Sequence, residues 1–140
     1  MKFWDSSALI PLLVGQTATE AVRKVFAGDP QAVVWMMSEV EFVSAVHRLV
    51  RDGALGPDDA AELIRRFDTL WSAVHQVTLV DGVKRRARRL LGIHPLRAAD
   101  ALQLGAALTA ASDDPTGWDF VGLDRRLNDA ARKEGVRVLP

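Results

Sequence analysis

The 140-residue sequence has no cysteine, no long apolar run and no excess of charge of either sign. The lack of cysteine excludes disulfide bonds and thiolate metal sites, and a reducing cytoplasm is the expected setting. No apolar stretch approaches ~18 residues, the length of a membrane-spanning helix, so we expect no membrane association. The 18 basic and 18 acidic residues argue against a protein that coats nucleic acid by bulk charge, although a local basic patch is compatible with this balance.

Lysine is also rare, and the chain contains only Lys2, Lys24, Lys84 and Lys133.

A hydrophobic content of 49% over 140 residues is sufficient for one core without covalent cross-links. No internal repeat, low-complexity segment or long linker divides the chain. We therefore expect a single domain that spans residues 1–140.

Short β-rich runs alternate with helical patterns along the whole chain. The strands are predicted at residues 2–4, 32–36, 77–80, 120–123 and 136–139. The helices are predicted at 6–14, 17–27, 38–51, 57–75, 82–91, 98–111 and 124–134. A capping-box pattern at 17–20 marks one helix start, and Pro57 suits the first position of another. This alternation predicts an α/β fold, a three-layer α/β/α sandwich with a central, mostly parallel sheet.

Four carboxylates fall where such a fold would gather them. Asp5 ends the first predicted strand, and Asp124 follows the fourth. Glu41 lies in the first turn of the helix after the second strand, and Asp100 lies near the start of an apolar helix. Ligands of open parallel sheets bind beyond the carboxyl ends of the strands, where four acids would repel one another. A Mg²⁺ ion with oxygen ligands would resolve that repulsion and support phosphoryl chemistry.

Each of these acids also has a purely structural interpretation. Asp5 and Asp124 could simply cap the helices that follow them. Ser38 and Glu41 fit a capping box, in which Glu41 would only support the helix. Asp100 could form an ion pair with Arg97, although an idle carboxylate inside an apolar segment would be costly. The functional interpretation depends on all four acids occurring at equivalent positions.

Glu39 competes with Glu41 for the place of the second acid. Helical spacing favours Glu41, because Ser44 and Arg48 lie on the same side of the helix three and seven residues later. The apolar residues of the helix turn away from that side. We therefore expect Glu41 to face the site.

The segments that carry the four acids resemble the motifs of PIN-domain ribonucleases, most closely the VapC toxins of bacterial type II toxin–antitoxin systems. They are FWDSSAL at 3–9, SEVEFVSA at 38–45, HPLRAADALQL at 94–104 and FVGLDRRL at 120–127. The third is the most specific, and the resemblance covers nearly the whole chain. Gly122 stands where the family pattern has Ser or Thr, two residues before the fourth acid, so a hydroxyl helper is missing there.

The resemblance implies a PIN-like parallel-sheet fold and endonucleolytic cleavage of RNA. It also implies Mg²⁺ or Mn²⁺ as cofactor, dimerisation and a cognate VapB-type antitoxin. By the same resemblance, the catalytic and metal-binding residues are the acidic quartet of Asp5, Glu41, Asp100 and Asp124. We expect Asp5 and Asp100 to be the firmest ligands, with the other two acting partly through water.

A basic stripe in the predicted helix 82–91 indicates contact with RNA or with an acidic partner, because phosphate backbones attract such stripes. Residues 84–89 carry five positive charges in six positions. A solvated helix surface is the structural alternative. The candidate contact residues are Ser6, Arg85, Arg88, Arg89 and Arg97.

Two rival functions share the acidic site. A metal-dependent small-molecule phosphohydrolase would add a nucleophilic aspartate and a lysine, but no lysine lies in the motifs. A non-catalytic binding module would use its acidic pocket to receive an arginine from a partner protein. A homodimer is also expected, because apolar helix surface lacks an obvious cover within the chain near Leu12, Leu13, Val22 and Phe26.

Overall fold

Five parallel strands form the central sheet of the molecule, which the computed structural model describes from Met1 to Pro140. They are β1 (Lys2–Trp4), β2 (Ala32–Trp35), β3 (His75–Val77), β4 (Asp119–Val121) and β5 (Arg137–Leu139). Their order across the sheet is β3-β2-β1-β4-β5, and every neighbouring pair is parallel. The predicted parallel sheet is confirmed.

Seven helices cover the two faces of this sheet. They are α1 (Ser6–Leu13), α2 (Thr19–Gly28), α3 (Ser38–Arg51), α4 (Pro57–Trp71), α5 (Val80–Leu91), α6 (Ala98–Ala110) and α7 (Arg125–Lys133). Helices α1 to α4 pack on one face of the sheet and α5 to α7 on the other. The three-layer α/β/α prediction is confirmed. None of the helices combines the length and the apolar character that crossing a membrane requires.

Alternate strand side chains enter two separate cores, because successive side chains of a strand point to opposite faces. Phe3 packs with the α5–α7 layer, whereas Trp4 packs with the α1–α4 layer. In β4, Phe120 and Val121 divide in the same way, and Phe120 stacks on Phe3. All four residues are at most 1% exposed, so both faces of the central strands are buried.

The third strand differs from its prediction. The apolar run suggested residues 77–80, but β3 is His75–Val77 and pairs with β2 from Val33 to Trp35. It lies at the edge of the sheet, where polar side chains such as those of His75 and Gln76 are tolerated because they face water. Helix α4 therefore ends earlier than predicted, at Trp71, and α5 begins earlier, at Val80.

The start of the second helix also differs from its prediction. Helix α2 begins at Thr19, and Ala18 stands at its N-cap without a side-chain hydrogen bond. The Thr19 hydroxyl accepts a hydrogen bond from the Gln16 N–H at 2.7 Å and donates one to the Val14 carbonyl at 2.8 Å. The capping box predicted at residues 17–20 is therefore wrong.

The apolar surface that suggested a dimer is covered within the chain. Val22 is fully buried, Leu12 is 7% exposed, and Leu13 and Phe26 pack against the same core. Phe26 meets the ring of Trp4 edge to face, with 5.6 Å between the ring centres. That argument for dimerisation is therefore wrong, and dimerisation stays a prediction of the family resemblance.

The chain changes direction across the sheet at β1. From β1 it passes outward to β2 and β3, and it then returns to form β4 on the other side of β1. Such a switch point leaves a crevice at the carboxyl ends of the strands, where ligands of open sheets bind. Asp5 directly follows β1, and Asp124 follows β4 after a two-residue connection.

Candidate active site

Asp5 is held rigidly at the end of β1. It caps α1, with one carboxylate oxygen accepting the N–H of Ser7 at 3.1 Å. Its own N–H donates to the Val121 carbonyl of β4 at 2.9 Å. The residue is 3% exposed, so the carboxyl is almost fully removed from water. The capping role is therefore real, and it engages only one of the two carboxylate oxygens.

Ser7 links the first acid to the strand on the far side of the crevice. Its hydroxyl donates to the same Asp5 oxygen that its N–H contacts. The hydroxyl oxygen also accepts the N–H of Leu123 at 2.9 Å, just before Asp124. This bridge fixes the ends of β1 and β4 relative to each other. No local pattern distinguishes Ser7 from its neighbours, because the partner that explains its role lies at the other end of the chain.

Glu41 is oriented by two hydrogen bonds from different elements. The Ser6 hydroxyl of α1 donates to Glu41 Oε2 at 2.7 Å, and the Gln103 amide of α6 donates to Oε1 at 3.0 Å. The same amide nitrogen donates to the Ser38 hydroxyl at 2.8 Å. Ser38 lies inside α3 rather than at its cap, and Met37 stands at the N-cap without a side-chain bond. The capping-box alternative for Ser38 and Glu41 is therefore wrong.

Asp100 and Asp124 begin two neighbouring helices. Asp124 caps α7 through Oδ1, which accepts the Leu127 N–H at 2.8 Å, so its second oxygen is uncommitted. Asp100 is half-buried in the first turn of α6. None of the ion pairs in the structure involves Asp100, so the pair with Arg97 that served as its structural alternative is not formed.

One open pocket of about 420 Å³ is lined by all four of these acids. Ser44 and Arg48 line it as well, as the helical spacing around Glu41 predicted. Glu39 is exposed and lies outside the pocket, and no lysine lines it. The complete lining consists of Asp5, Ser6, Ser7, Ile10, Val40, Glu41, Ser44, Ala45, Arg48, Asp100 and Asp124.

The acids of this pocket interact unfavourably with one another. Burial raises the pKa of Asp5 from 3.8 to about 6, assisted by the negative charges of Glu41 and Asp100 and opposed by the hydrogen bonds from Ser7. Burial likewise raises the pKa of Asp100, with the charge of Asp124 as the second cause. Burial and the neighbouring negative charges thus make the charged forms of Asp5 and Asp100 costly, although Arg48 also lines the pocket.

These donors fit a hard divalent cation. All are oxygen atoms, and none of the four carboxylates is neutralised by an ion pair. No three acidic or histidine side chains already surround a common point as a complete metal-binding group. This does not conflict with Mg²⁺, which usually keeps several waters and takes only one or two carboxylates directly.

The predicted basic contacts divide into two groups. Arg97 lies next to Asp100 and Asp124 in a pocket that adjoins the acidic one. Arg85 and Arg89 line a separate pocket, and Arg89 is paired with Glu134 at 2.6 Å. Like Arg85, Arg88 is exposed and forms no ion pair. The basic stripe of α5 therefore does not contribute to the acidic pocket, and its contact with RNA stays a prediction.

Gly122 occupies a position where a side chain would not fit. A Cβ atom there would lie 2.7 Å from the Phe120 ring and 2.8 Å from Asn128 Oδ1. Asn128 is fixed, because its amide nitrogen donates to the Gly122 carbonyl at 2.8 Å. The space that a serine or threonine side chain would need at position 122 is thus filled by Asn128 and the Phe120 ring.

The fold and the pocket together describe a class of protein, an α/β/α domain with clustered carboxylates at the switch point of a parallel sheet. The PIN domain family model matches residues 2–133, and this chain belongs to that family. Ribonuclease VapC45 and Ribonuclease VapC49 of Mycobacterium tuberculosis are each 31% identical to it over 138 residues. The alignment covers 99% of this chain and 94% of each relative.

Solved structures show the same fold. FitAcB from Neisseria gonorrhoeae superposes with a TM-score of 0.71 at 14% identity, covering 100% of this chain and 97% of that one. VapC20 from Mycobacterium tuberculosis, described as a sarcin-ricin loop cleaving toxin, gives 0.64 at 17% identity, covering 93% and 95%. The PIN-like fold predicted from the sequence is confirmed.

Proposed function

We propose that this protein is a metal-dependent endoribonuclease and the toxin component of a VapBC-type toxin–antitoxin pair. The observation that carries the proposal is the pocket lined by four carboxylates, none of them compensated by an ion pair. Membership of the PIN domain family supports it, as do relatives of nearly equal length that are named Ribonuclease VapC.

Asp5 and Asp100 are the proposed direct ligands of Mg²⁺ or Mn²⁺, and Glu41 and Asp124 are proposed to act partly through water. When bound, the cation would activate water and offset charge on the scissile phosphate. Glu41 is suited to orient the attacking water, because Ser6 and Gln103 fix its carboxylate from two sides. Water would form a bond to phosphorus and lose a proton, while the P–O bond to the leaving nucleotide breaks and the leaving oxygen takes up a proton from solvent.

The test is cleavage of single-stranded RNA in Mg²⁺ and in EDTA. Asp5→Asn and Asp100→Asn should each lower the rate about a hundredfold or more, because the amide keeps the shape but loses the charge. Asp58→Asn, at an exposed position in the first turn of α4, is the matched control and should cut like the wild type. Cleavage that persists in EDTA, or in both Asp5→Asn and Asp100→Asn, would contradict the proposal.

The rival functions make different predictions in the same assay. A small-molecule phosphohydrolase would hydrolyse a chromogenic phosphoester and leave RNA intact, but the pocket lacks the lysine that such enzymes use. A non-catalytic binding module would show no metal-dependent cleavage of either substrate. Metal-dependent cutting within an RNA chain therefore separates the proposed function from both.

The proposed partner is a small VapB-type antitoxin. A lysine or arginine from its inhibitory segment would enter the acidic pocket, because a fixed cation can take the place of the metal among the carboxylates. Expression of the toxin alone should arrest growth, and co-expression of the neighbouring antitoxin gene should relieve the arrest. The family resemblance also leads us to propose a homodimer, which light scattering at micromolar concentration would test.

A further inference from the structure

A second pocket adjoins the acidic one and shares a wall with it. It has a volume of about 520 Å³, and Asp100 and Asp124 line both pockets. Arg97, Arg125 and Arg126 line the second pocket together with Ala99, and we call it the arginine pocket. The carboxylates of Asp100 and Asp124 therefore lie between the acidic pocket and the three arginines.

The arginines of this pocket have no partner within the protein. Arg97, Arg125 and Arg126 are exposed, and none of them forms an ion pair. Arg86, by contrast, is compensated within the chain, because it makes two hydrogen bonds to Asp113 at 2.5 and 2.7 Å. Asp100 and Asp124 line the same pocket, but neither forms an ion pair with the three arginines. The three guanidinium groups therefore still repel one another, and an anion between them would reduce that repulsion.

Two helices begin at the same pocket. Arg97 stands at the N-cap of α6 and makes no side-chain capping bond, while Arg125 is the first residue of α7. The N-terminus of a helix presents free N–H groups and a partial positive charge, and both attract phosphate. The backbone therefore adds to the positive potential that the three guanidinium groups create.

We propose that the arginine pocket binds a phosphate of the RNA backbone next to the scissile phosphate, so that the strand crosses the wall formed by Asp100 and Asp124. This inference rests on the proposed function and assigns a place to the substrate within it. A guanidinium group donates two N–H bonds in a fork that matches phosphate oxygens, which a lysine cannot do. Continuity between the two pockets favours a polyanion that spans both over an acidic protein segment confined to one.

The test measures binding in the absence of cleavage. A short fluorescent single-stranded RNA is titrated in an Asp5→Asn background at several salt concentrations, since Asp5 does not line the arginine pocket. Adding Arg125→Gln and Arg126→Gln should weaken binding about tenfold or more. It should also reduce the salt dependence, the slope of log K against log salt, by about 0.7 for each phosphate that is no longer neutralised.

The matched control removes the same charge from two other exposed, unpaired arginines. Arg51→Gln with Arg66→Gln should leave both the affinity and the salt slope unchanged, because neither residue lines the acidic or the arginine pocket. Arg125→Lys with Arg126→Lys should keep most of the slope and lose part of the affinity, as expected when charge remains but the fork is lost.

Three results would overturn the assignment. One is unchanged binding of both RNA and a glutamate-rich peptide after loss of Arg125 and Arg126, and another is an equal loss in the Arg51 and Arg66 control, which would indicate diffuse charge. The third is unchanged RNA binding combined with lost binding of the glutamate-rich peptide, which would assign the pocket to a protein partner. Mg²⁺-dependent RNA cleavage by the parent protein is measured in parallel. Failure of that reaction would refute the proposed function, whereas normal cleavage with normal binding by the variant would refute only the pocket.

Discussion

Replacing Asp5 by asparagine should stabilise the metal-free protein at neutral pH. The carboxyl is 3% exposed, and burial is the main cause that raises its pKa from 3.8 to about 6. Asparagine keeps an oxygen that can accept the hydrogen bonds of Ser7, and it is equally suited to cap a helix. Because asparagine carries no charge to desolvate, the variant avoids a cost of about 3 kcal/mol, since a tenfold change in proton affinity corresponds to about 1.36 kcal/mol.

The pH dependence has a definite sign. The folded protein holds the Asp5 proton more tightly than the unfolded chain, so the contribution of this carboxyl to stability is full below pH 3.8 and is lost as the pH rises through about 6. The unfolding free energy of Asp5→Asn minus that of the wild type should thus be near zero in acid and approach about 3 kcal/mol above pH 6. The pKa of Asp100 is raised too, but Asp100 is present in both proteins, so its contribution to the difference in unfolding free energy largely cancels.

Melts in EDTA across this pH range provide the assay. For a domain of this size, about 3 kcal/mol moves the melting temperature by about 10 °C. Adding Mn²⁺ at a hundredfold excess over its Kd should stabilise the wild type by about 2.7 kcal/mol. Most of that gain should vanish in Asp5→Asn. Asp58→Asn should show neither effect, because its carboxyl is exposed.

Two results would refute this reasoning. A difference curve that stays flat between pH 4 and pH 7 would mean that the buried carboxyl of Asp5 is not strained. A variant that melts below the wild type in EDTA at neutral pH would mean that the charge itself supports the fold. Either result, combined with no metal response in the wild type, would remove the electrostatic argument for a cation site.

Three further changes test the parts of the site separately. Glu41→Gln should lower RNA cleavage about a hundredfold while Glu39→Gln changes it little, and the reverse order would move the second acid to Glu39. Gln103→Leu should lower kcat and leave KM nearly unchanged, because it removes the hydrogen bond that fixes one oxygen of Glu41. An unchanged kcat in a folded variant would contradict a positioning role for Gln103. Gly122→Ser should destabilise the fold by about 1–3 kcal/mol, since its Cβ would meet Asn128 and the neighbouring ring. Adding Asn128→Ala should recover part of that loss in a thermal melt, and a full-stability single variant would refute the argument.

The positions of the acids follow from topology, which explains why they were predictable. Once the strands are parallel, residues that follow β1 and β4 must meet at one edge of the sheet, however far apart they lie in sequence. The positions of Asp5 and Asp124 could therefore be predicted without knowledge of any side-chain contact. Glu41 was placed at the same edge by its position after the second strand, and helical spacing favoured it over Glu39, because the opposite side of α3 carries Phe42 and Val46, which are buried in the core.

The remaining features depend on partners that local patterns do not reveal. The amide of Gln103 bonds Ser38 and Glu41 from a different helix, so its role emerges only when α3 and α6 are placed together. The edge strand β3 was displaced in the prediction because only Val77 of its three residues is buried. At the start of α2, the sequence pattern suited a capping box at residues 17–20, but neither threonine caps the helix, and Thr19 instead bonds to the preceding turn.

The bridge from Ser7 to Leu123 has a consequence for synthesis of the chain. It joins residues from the first and the last quarter of the sequence. The backbone N–H of Asp5 donates to the Val121 carbonyl across the same junction. A ribosome that has released only β1 to β3 has therefore exposed Asp5 and Glu41 without the strand that closes the crevice. The site is completed only when β4 inserts beside β1, so the nascent protein stays inactive until nearly all of it has emerged. A nuclease built in this order cannot attack the messenger from which it is being translated before its own synthesis is almost finished.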